Sequence, residues 1–174
     1  MHTETGGMNA LAFEEYAGVI WPSLYRSAYL LTGNHADAED IAQQTLLNAY
    51  RSWSRVIRSD SLDAYLRRVL TNAFLSARRP KKRRLELLTA TPPEPDVAQP
   101  PHAPEDRLML WPHVTSLPPR QRAVIVLRYY EGLSEQEIAD ALGCSRGNVK
   151  STAHHALKTL RAALCSERTD GREN

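Results

Sequence analysis

Residues 134–157 read SEQEIADALGCSRGNVKSTAHHAL. Ser134 followed three residues later by Glu137 is a capping box, in which each side chain satisfies the other residue's free backbone N–H. The helix it starts turns Ile138, Ala139 and Leu142 inward. Gly143 ends it, at a position that calls for a left-handed turn. Ser145 caps a second helix, with Val149, Ala153, Ala156, Leu157, Leu160 and Leu164 on one stripe. Its other face carries Arg146, Asn148, Lys150, Ser151, His154 and Lys158. A short helix, a glycine turn and a longer helix make the helix-turn-helix plan. Ala139 is small where the helices cross, and Val149 locks the second onto the first. The exposed start of the second helix can then enter a major groove about 12 Å wide. An ordinary αα-hairpin would share the spacing, but the basic outer face favours DNA. Repressors and response-regulator output domains use the same plan, so the motif alone leaves the kind of DNA-binding protein open.

Upstream, Glu105 to Leu117 reads as a further helix, with Pro112 expected to kink it near Trp111. Before it lies PPEPDVAQPPHAP, residues 92–104, with six prolines in thirteen positions. Proline removes a backbone donor and fixes φ, so neither helix nor sheet runs through. The expected fold is therefore all-α: two small helical domains, 10–84 and 105–165, joined by a flexible Pro-rich linker at 85–104. In the first domain, Phe13, Tyr16, Ala17, Ile20, Leu24, Ala28 and Leu31 recur at helical spacing. Pro22 should kink or restart that helix, and Gly33 should cap its end. Asn34 with Asp37 marks the next start, and Ala38, Ile41, Ala42, Thr45, Leu46, Ala49 and Trp53 form its stripe. A third helix turns Leu62, Tyr65, Leu66, Val69, Leu70, Ala73 and Ala77 inward. It projects Arg67, Arg68, Asn72, Arg78 and Arg79 outward, and Pro80 and the basic run Lys81–Arg84 end it.

The net charge of +2 hides a segregation. Residues 1–50 carry −5, residues 51–84 carry +9, residues 85–119 carry −4 and residues 120–174 carry +2. A block of +9 in 34 residues is the footprint of a phosphate-binding surface. The two cysteines, Cys144 and Cys165, lack CxxC spacing, which fits a reducing cytosol and no disulfide framework. Cys165 lies about 15 Å along the helix from His155, so one zinc cannot join them. No secretory signal is visible and the longest aliphatic run, Ala123–Leu127, is far too short for a membrane span. A soluble, cytoplasmic protein without membrane insertion is expected.

Two longer motifs point to a family. The run LPPRQRAVIVLRYYEGLSEQEIADALGCSRGNVKS from Leu117 resembles region 4 of extracytoplasmic-function (group 4, sigma-70 family) RNA polymerase sigma factors. LTGNHADAEDIAQQTLLNAYRSW, Leu31 to Trp53, resembles their region 2. The closing VKSTAHHALKTLRAAL is most similar to the actinobacterial branch. The resemblance implies a promoter-recognition subunit that binds core polymerase and −35 and −10 elements and promotes melting. It implies that Asp37, Glu39, Asp40, Gln43 and Gln44 dock on the β′ clamp coiled coil. Many relatives carry an acid near Gln43–Gln44, which this chain lacks. It implies that Tyr65, Arg67, Arg68, Asn72, Arg78 and Arg79 read the −10 element, with Trp53 and Tyr65 able either to stack on bases or to pack in the core. Ser76 stands where relatives often carry Asp. Arg146, Asn148, Lys150, Ser151 and His154 would meet the −35 element, Lys150 and Ser151 mostly through the backbone, and Arg120 and Arg122 could meet phosphate. The partners implied are core polymerase through the β′ clamp and β flap, promoter DNA, and an anti-sigma factor as a candidate. No cofactor, metal or catalytic residue is expected, and no Ser/His/Asp set or Gly-rich phosphate loop supports an enzyme. The competing readings are a helix-turn-helix regulator that is no polymerase subunit, a nucleic-acid enzyme, and a module that sequesters polymerase.

Overall fold

A computed structural model describes residues 4–57, 61–78 and 105–170, with side chains described within 12–57, 61–78 and 110–166. Among these residues the chain is helical, without strands. The N-terminal half holds α1 (Glu4–Thr32), α2 (His35–Arg51), the short α3 (Trp53–Val56) and α4 (Leu62–Ala77). The C-terminal half holds α5 (Glu105–Ser116), α6 (Pro119–Ile125), α7 (Glu135–Leu142) and α8 (Arg146–Asp170). A π-helical turn over Val126–Tyr130 extends α6.

Pro22 does not restart α1, which runs through it as one helix. The last turn ends at Gly33, whose φ of 79° is open to glycine without strain. Asn34 then caps α2, its Oδ1 accepting the Asp37 N–H at 2.8 Å. The expected stripe of α2 is its buried face: Ala38, Ile41, Ala42, Thr45 and Ala49. The polar stretch after it is partly helical because Trp53 and Val56 turn inward as α3. Trp53 is packed against the rings of Phe13 and Tyr16 at 5.1 and 5.3 Å, so in this form it is core and not a stacking platform. Ser61 caps α4. α5 continues through Pro112. The linker at 85–104 and the run Pro80–Arg84 lie outside the described residues.

The two halves do not hold separate cores. One buried cluster runs from Leu24, Ala28 and Leu31 of α1 and Leu70 and Phe74 of α4 into Trp111, Val124, Val126, Leu127 and Ile138 of the second half. Trp111 stacks on Tyr29 at 6.4 Å. Gly33 approaches α5 so closely that a Cβ there would meet Thr115 Cγ2 at 3.1 Å. The reason is that α1 and α4 are apolar on two faces, one toward α2 and one toward α6 and α7. A single amphipathic stripe does not record the second.

The helix-turn-helix forms as its residues demand. Glu137 accepts the Ser134 N–H at 2.9 Å and Ser134 Oγ accepts the Glu137 N–H at 3.3 Å. Gly143 is left-handed at φ 61°, ψ 43°. Gly143→Val is expected to destabilise the protein by about 2 kcal/mol, through φ alone, since nothing lies within 4 Å of a Cβ there. That should lower Tm by about 4–8 °C; an unchanged thermal melt would mean the turn tolerates an ordinary residue. The Ser134 backbone and hydroxyl hold the Glu137 carboxyl below its usual range, with a smaller pull from Arg67. The folded pKa is the lower one, so this stabilisation is present above the ordinary glutamate range and is lost as pH falls through the folded value. Glu137→Gln should therefore melt earlier than wild type at neutral pH, with the gap closing in acid.

Candidate nucleic-acid interface

Val149, Ala153, Ala156 and Leu160 bury one side of α8. That rotation leaves Arg146, Asn148, Lys150, Ser151 and His154 exposed together on the other side. Ser145 caps the helix, its Oγ accepting the Asn148 N–H at 3.2 Å. Thr152 donates to Asn148 Oδ1 at 3.3 Å, which steadies that amide. His154 packs edge-on to His155 at 5.9 Å. Neither cysteine is in a disulfide. No group of three or more His, Cys, Asp or Glu side chains among the described residues is placed to hold a metal.

On α4, Arg68 and Asn72 are exposed, while Tyr65 and Arg67 are half-buried. Arg67 lines a cavity of about 190 Å³ between the two halves, with Asp63 of its own helix and Glu131 from the other half. Ser27 closes one side by donating to Glu131 at 3.1 Å. Arg78 is already engaged: it meets Asp37 at 2.9 Å and donates to the Thr32 carbonyl at 3.3 Å. A residue expected to read DNA and one expected to dock polymerase are thus partners. Arg79 lies outside the described residues.

Glu39, Asp40, Gln43 and Gln44 form an exposed row on α2. Asp40 and Gln44 share a shallow groove of about 590 Å³ with Asn72 and Ser76 of α4. Sequence reading missed the apolar end of this row. Leu47 and Tyr50 are half exposed, and with Phe13, Leu46 and Gln43 they line a second groove of about 420 Å³. Their signal was present as apolar residues off the stripe of α2.

Arg122 is the clearest departure from expectation. It is buried and faces no phosphate. Its guanidinium donates to the Leu31 and Thr32 carbonyls at the end of α1, at 3.1 and 3.2 Å, and to the Thr115 carbonyl at the end of α5. It also lies over the Phe74 ring at 5.9 Å, with Arg78 at the same distance. Burial, and then the Arg78 charge, pull its pKa down to about 10, so it stays cationic at neutral pH. Helix C-termini carry unpaired carbonyls and partial negative charge, which a buried guanidinium satisfies. Arg120, two residues earlier, is exposed.

Two helical domains, the second a helix-turn-helix with a cationic outer face, define a DNA-binding class of protein. The sigma-70 region 2 family matches residues 21–84 and the sigma-70 region 4 family matches residues 114–160. The RNA polymerase sigma-E factor of Streptomyces avermitilis is 40% identical over 162 residues, covering 93% of this chain and 90% of that one. The ECF RNA polymerase sigma factor SigL of Mycobacterium tuberculosis is 36% identical over 167 residues, covering 92% and 90%. The chain belongs to the sigma-70 family of RNA polymerase sigma factors, in its extracytoplasmic-function group, and its actinobacterial relatives fit the branch expected from the C-terminal helix. Among solved structures, the sigma factor RpoE in complex with the anti-sigma factor NepR from Bartonella quintana matches with a TM-score of 0.67 at 25% identity, covering 88% of this chain and 96% of that one. CnrH in complex with the cytosolic domain of CnrY shares the fold, with a TM-score of 0.61 at 21% identity. No described helix is long and apolar enough to cross a membrane.

Arg122→Met removes the donor from four carbonyls at the junction, those of Leu31, Thr32, Thr115 and Leu117. It is expected to cost about 2–3 kcal/mol in chemical denaturation and to enlarge the radius of gyration in small-angle scattering. An unchanged radius would show that apolar contact alone holds the halves together.

Proposed function

We propose that this chain binds core RNA polymerase through the exposed face of α2, reads the −35 element with the start of α8, and reads and opens the −10 element with α4. One observation carries the reading: two cationic faces occur on two modules that match regions 2 and 4 in order, in relatives aligned along nearly their full length. Arg146, Asn148 and His154 are the candidates for base edges, and Lys150 and Ser151 for the backbone, where contacts position more than they specify. Arg67, Arg68, Arg78 and Arg79 serve the displaced strand's phosphates, with Tyr65 for base stacking. Asn72 joins them at the groove shared with α2. Asp37, Glu39, Asp40, Gln43 and Gln44, with Leu47 and Tyr50 beside them, form the polymerase-docking face. Asp37 also caps the local fold through Arg78, so its part in docking is shared with structure.

The two elements are about 25 base pairs apart by their names, or about 85 Å along B-DNA at 3.4 Å per pair. Halves in direct contact cannot reach both. The packed form is therefore an off-promoter form, and the Arg122 junction opens before promoter binding. Residues 79–104 number 26, enough chain to span roughly 85 Å when extended. Mounted on polymerase, the two modules gain selectivity by effective concentration. An anti-sigma factor is the class of partner that would hold the packed form, a reading supported by its likeness to RpoE bound to NepR. The role is recognition and strand capture, with no covalent step, and its setting is the cytoplasm where polymerase works.

Run-off transcription with purified core enzyme tests this directly. Arg67→Ala with Arg68→Ala should cut open-complex formation and reduce the slope of log affinity against log salt by about 1.5. An unchanged slope removes α4 from the −10 role. Failure of the chain to bind core enzyme at low salt would leave a helix-turn-helix regulator as the better reading.

A further inference from the structure

Glu135, at the first turn of α7, is the meeting point of three cations from two other elements. Its Oε1 accepts from Arg128 Nη1 at 3.2 Å. Its Oε2 lies 3.6 Å from Arg146 Nη2 and 3.6 Å from Lys150 Nζ. The contacts differ in kind. The Arg128 contact is a hydrogen bond, from a side chain whose guanidinium also lies over the Tyr129 ring at 5.6 Å. Those to Arg146 and Lys150 are ion pairs beyond hydrogen-bond reach, made by side chains 59% and 61% exposed. Glu135 itself is only 21% exposed. One carboxylate oxygen is thus anchored to the scaffold, and the other faces the two cations proposed above to meet DNA.

We propose that Glu135 is the counter-charge of the −35-reading surface: it holds Arg146 and Lys150 until DNA takes them, and so suppresses binding to DNA of arbitrary sequence. The inference rests on the reading that the start of α8 contacts DNA. A phosphate must displace the carboxylate at every site, whatever the sequence, whereas base contacts repay that exchange only at a matched element. Arg128 keeps Glu135 paired after the exchange, so this half-buried carboxylate is not orphaned when Arg146 and Lys150 leave. A carboxylate that only stabilised the start of α7 through the helix dipole would not need its second oxygen turned toward α8. Glu135 is a positioning residue, acting through the two cations.

The test uses the full-length chain and fluorescence anisotropy, with a 30-base-pair duplex of random sequence and a promoter duplex selected by run-off transcription. Glu135→Gln should tighten binding to the random duplex roughly three- to tenfold. It should also steepen the salt slope by about one and shrink the promoter-to-random affinity ratio. Glu135→Asp, which keeps the charge, should stay near wild type in salt slope. The gain should be lost in the triple variant that adds Arg146→Ala and Lys150→Ala to Glu135→Gln. If Arg146→Ala with Lys150→Ala weakens wild-type binding while Glu135→Gln and Glu135→Ser leave affinity and slope unchanged, the counter-charge role is refuted and the −35 reading stands. If the Arg146, Lys150 variant binds both duplexes as wild type does, the −35 reading itself falls.

Discussion

A guanidinium buried between two helix ends organises this molecule. Arg122 donates into the last carbonyls of α1 and into the end of α5, and its guanidinium carbon lies over the Phe74 ring of α4. An ion so placed is tolerable only where donors find acceptors, as both Nη groups of Arg122 do, because stripping water from a cation costs several kcal/mol. The carbonyls are equally dependent, since helix ends hold acceptors with no partner inside the helix. The apolar surfaces around this point, from Leu31 to Val126, are non-directional, and they would allow many relative placements of the halves. The hydrogen bonds of Arg122 select one.

That selection bears on function because the junction and the working faces share residues. Arg122 and Arg78 both lie over Phe74 and both donate to the Thr32 carbonyl, and Arg78 binds Asp37 at the start of α2. On the proposed reading, docking of polymerase on α2 and separation of the halves would therefore act on one connected set of side chains. On the other side of α7 the logic repeats at smaller scale, with Glu135 engaging cations that belong to α8. Each face proposed to meet nucleic acid thus has an internal anionic or dipolar partner in the packed form. On that proposal binding would be an exchange of partners, which favours DNA that offers more than phosphate.

Much of this was legible in the chain. The capping box at Ser134, the left-handed Gly143 and the stripe of α8 are set by neighbours within a few residues, and local chemistry determines them. The stripe of α2 was read correctly for the same reason. Pro22 does not restart the helix: its missing N–H and its ring are accommodated inside α1, which runs from Glu4 to Thr32. Trp53 was left between core and base stacking, and the rings of Phe13 and Tyr16 place it in the core of this form. Phe74 and Thr71 of α4 were not foreseen as buried, because the surface covering them comes from residues about fifty positions away.

The sequence by itself determined the helices, their caps, the proline-rich break between the halves and the outward set of α8, because each depends on spacing along one helix or on one residue's φ. It also carried the charge segregation and the two motifs that place the chain among sigma factors. Only the tertiary structure decided that Arg122 is interior, that Arg78 is engaged by Asp37, and that Glu135 faces Arg146 and Lys150. Those pairings join residues 7 to 91 positions apart on elements whose crossing fixes the distances. A charge written in a sequence has a sign but no neighbour, and burial and partner are properties of the packed chain.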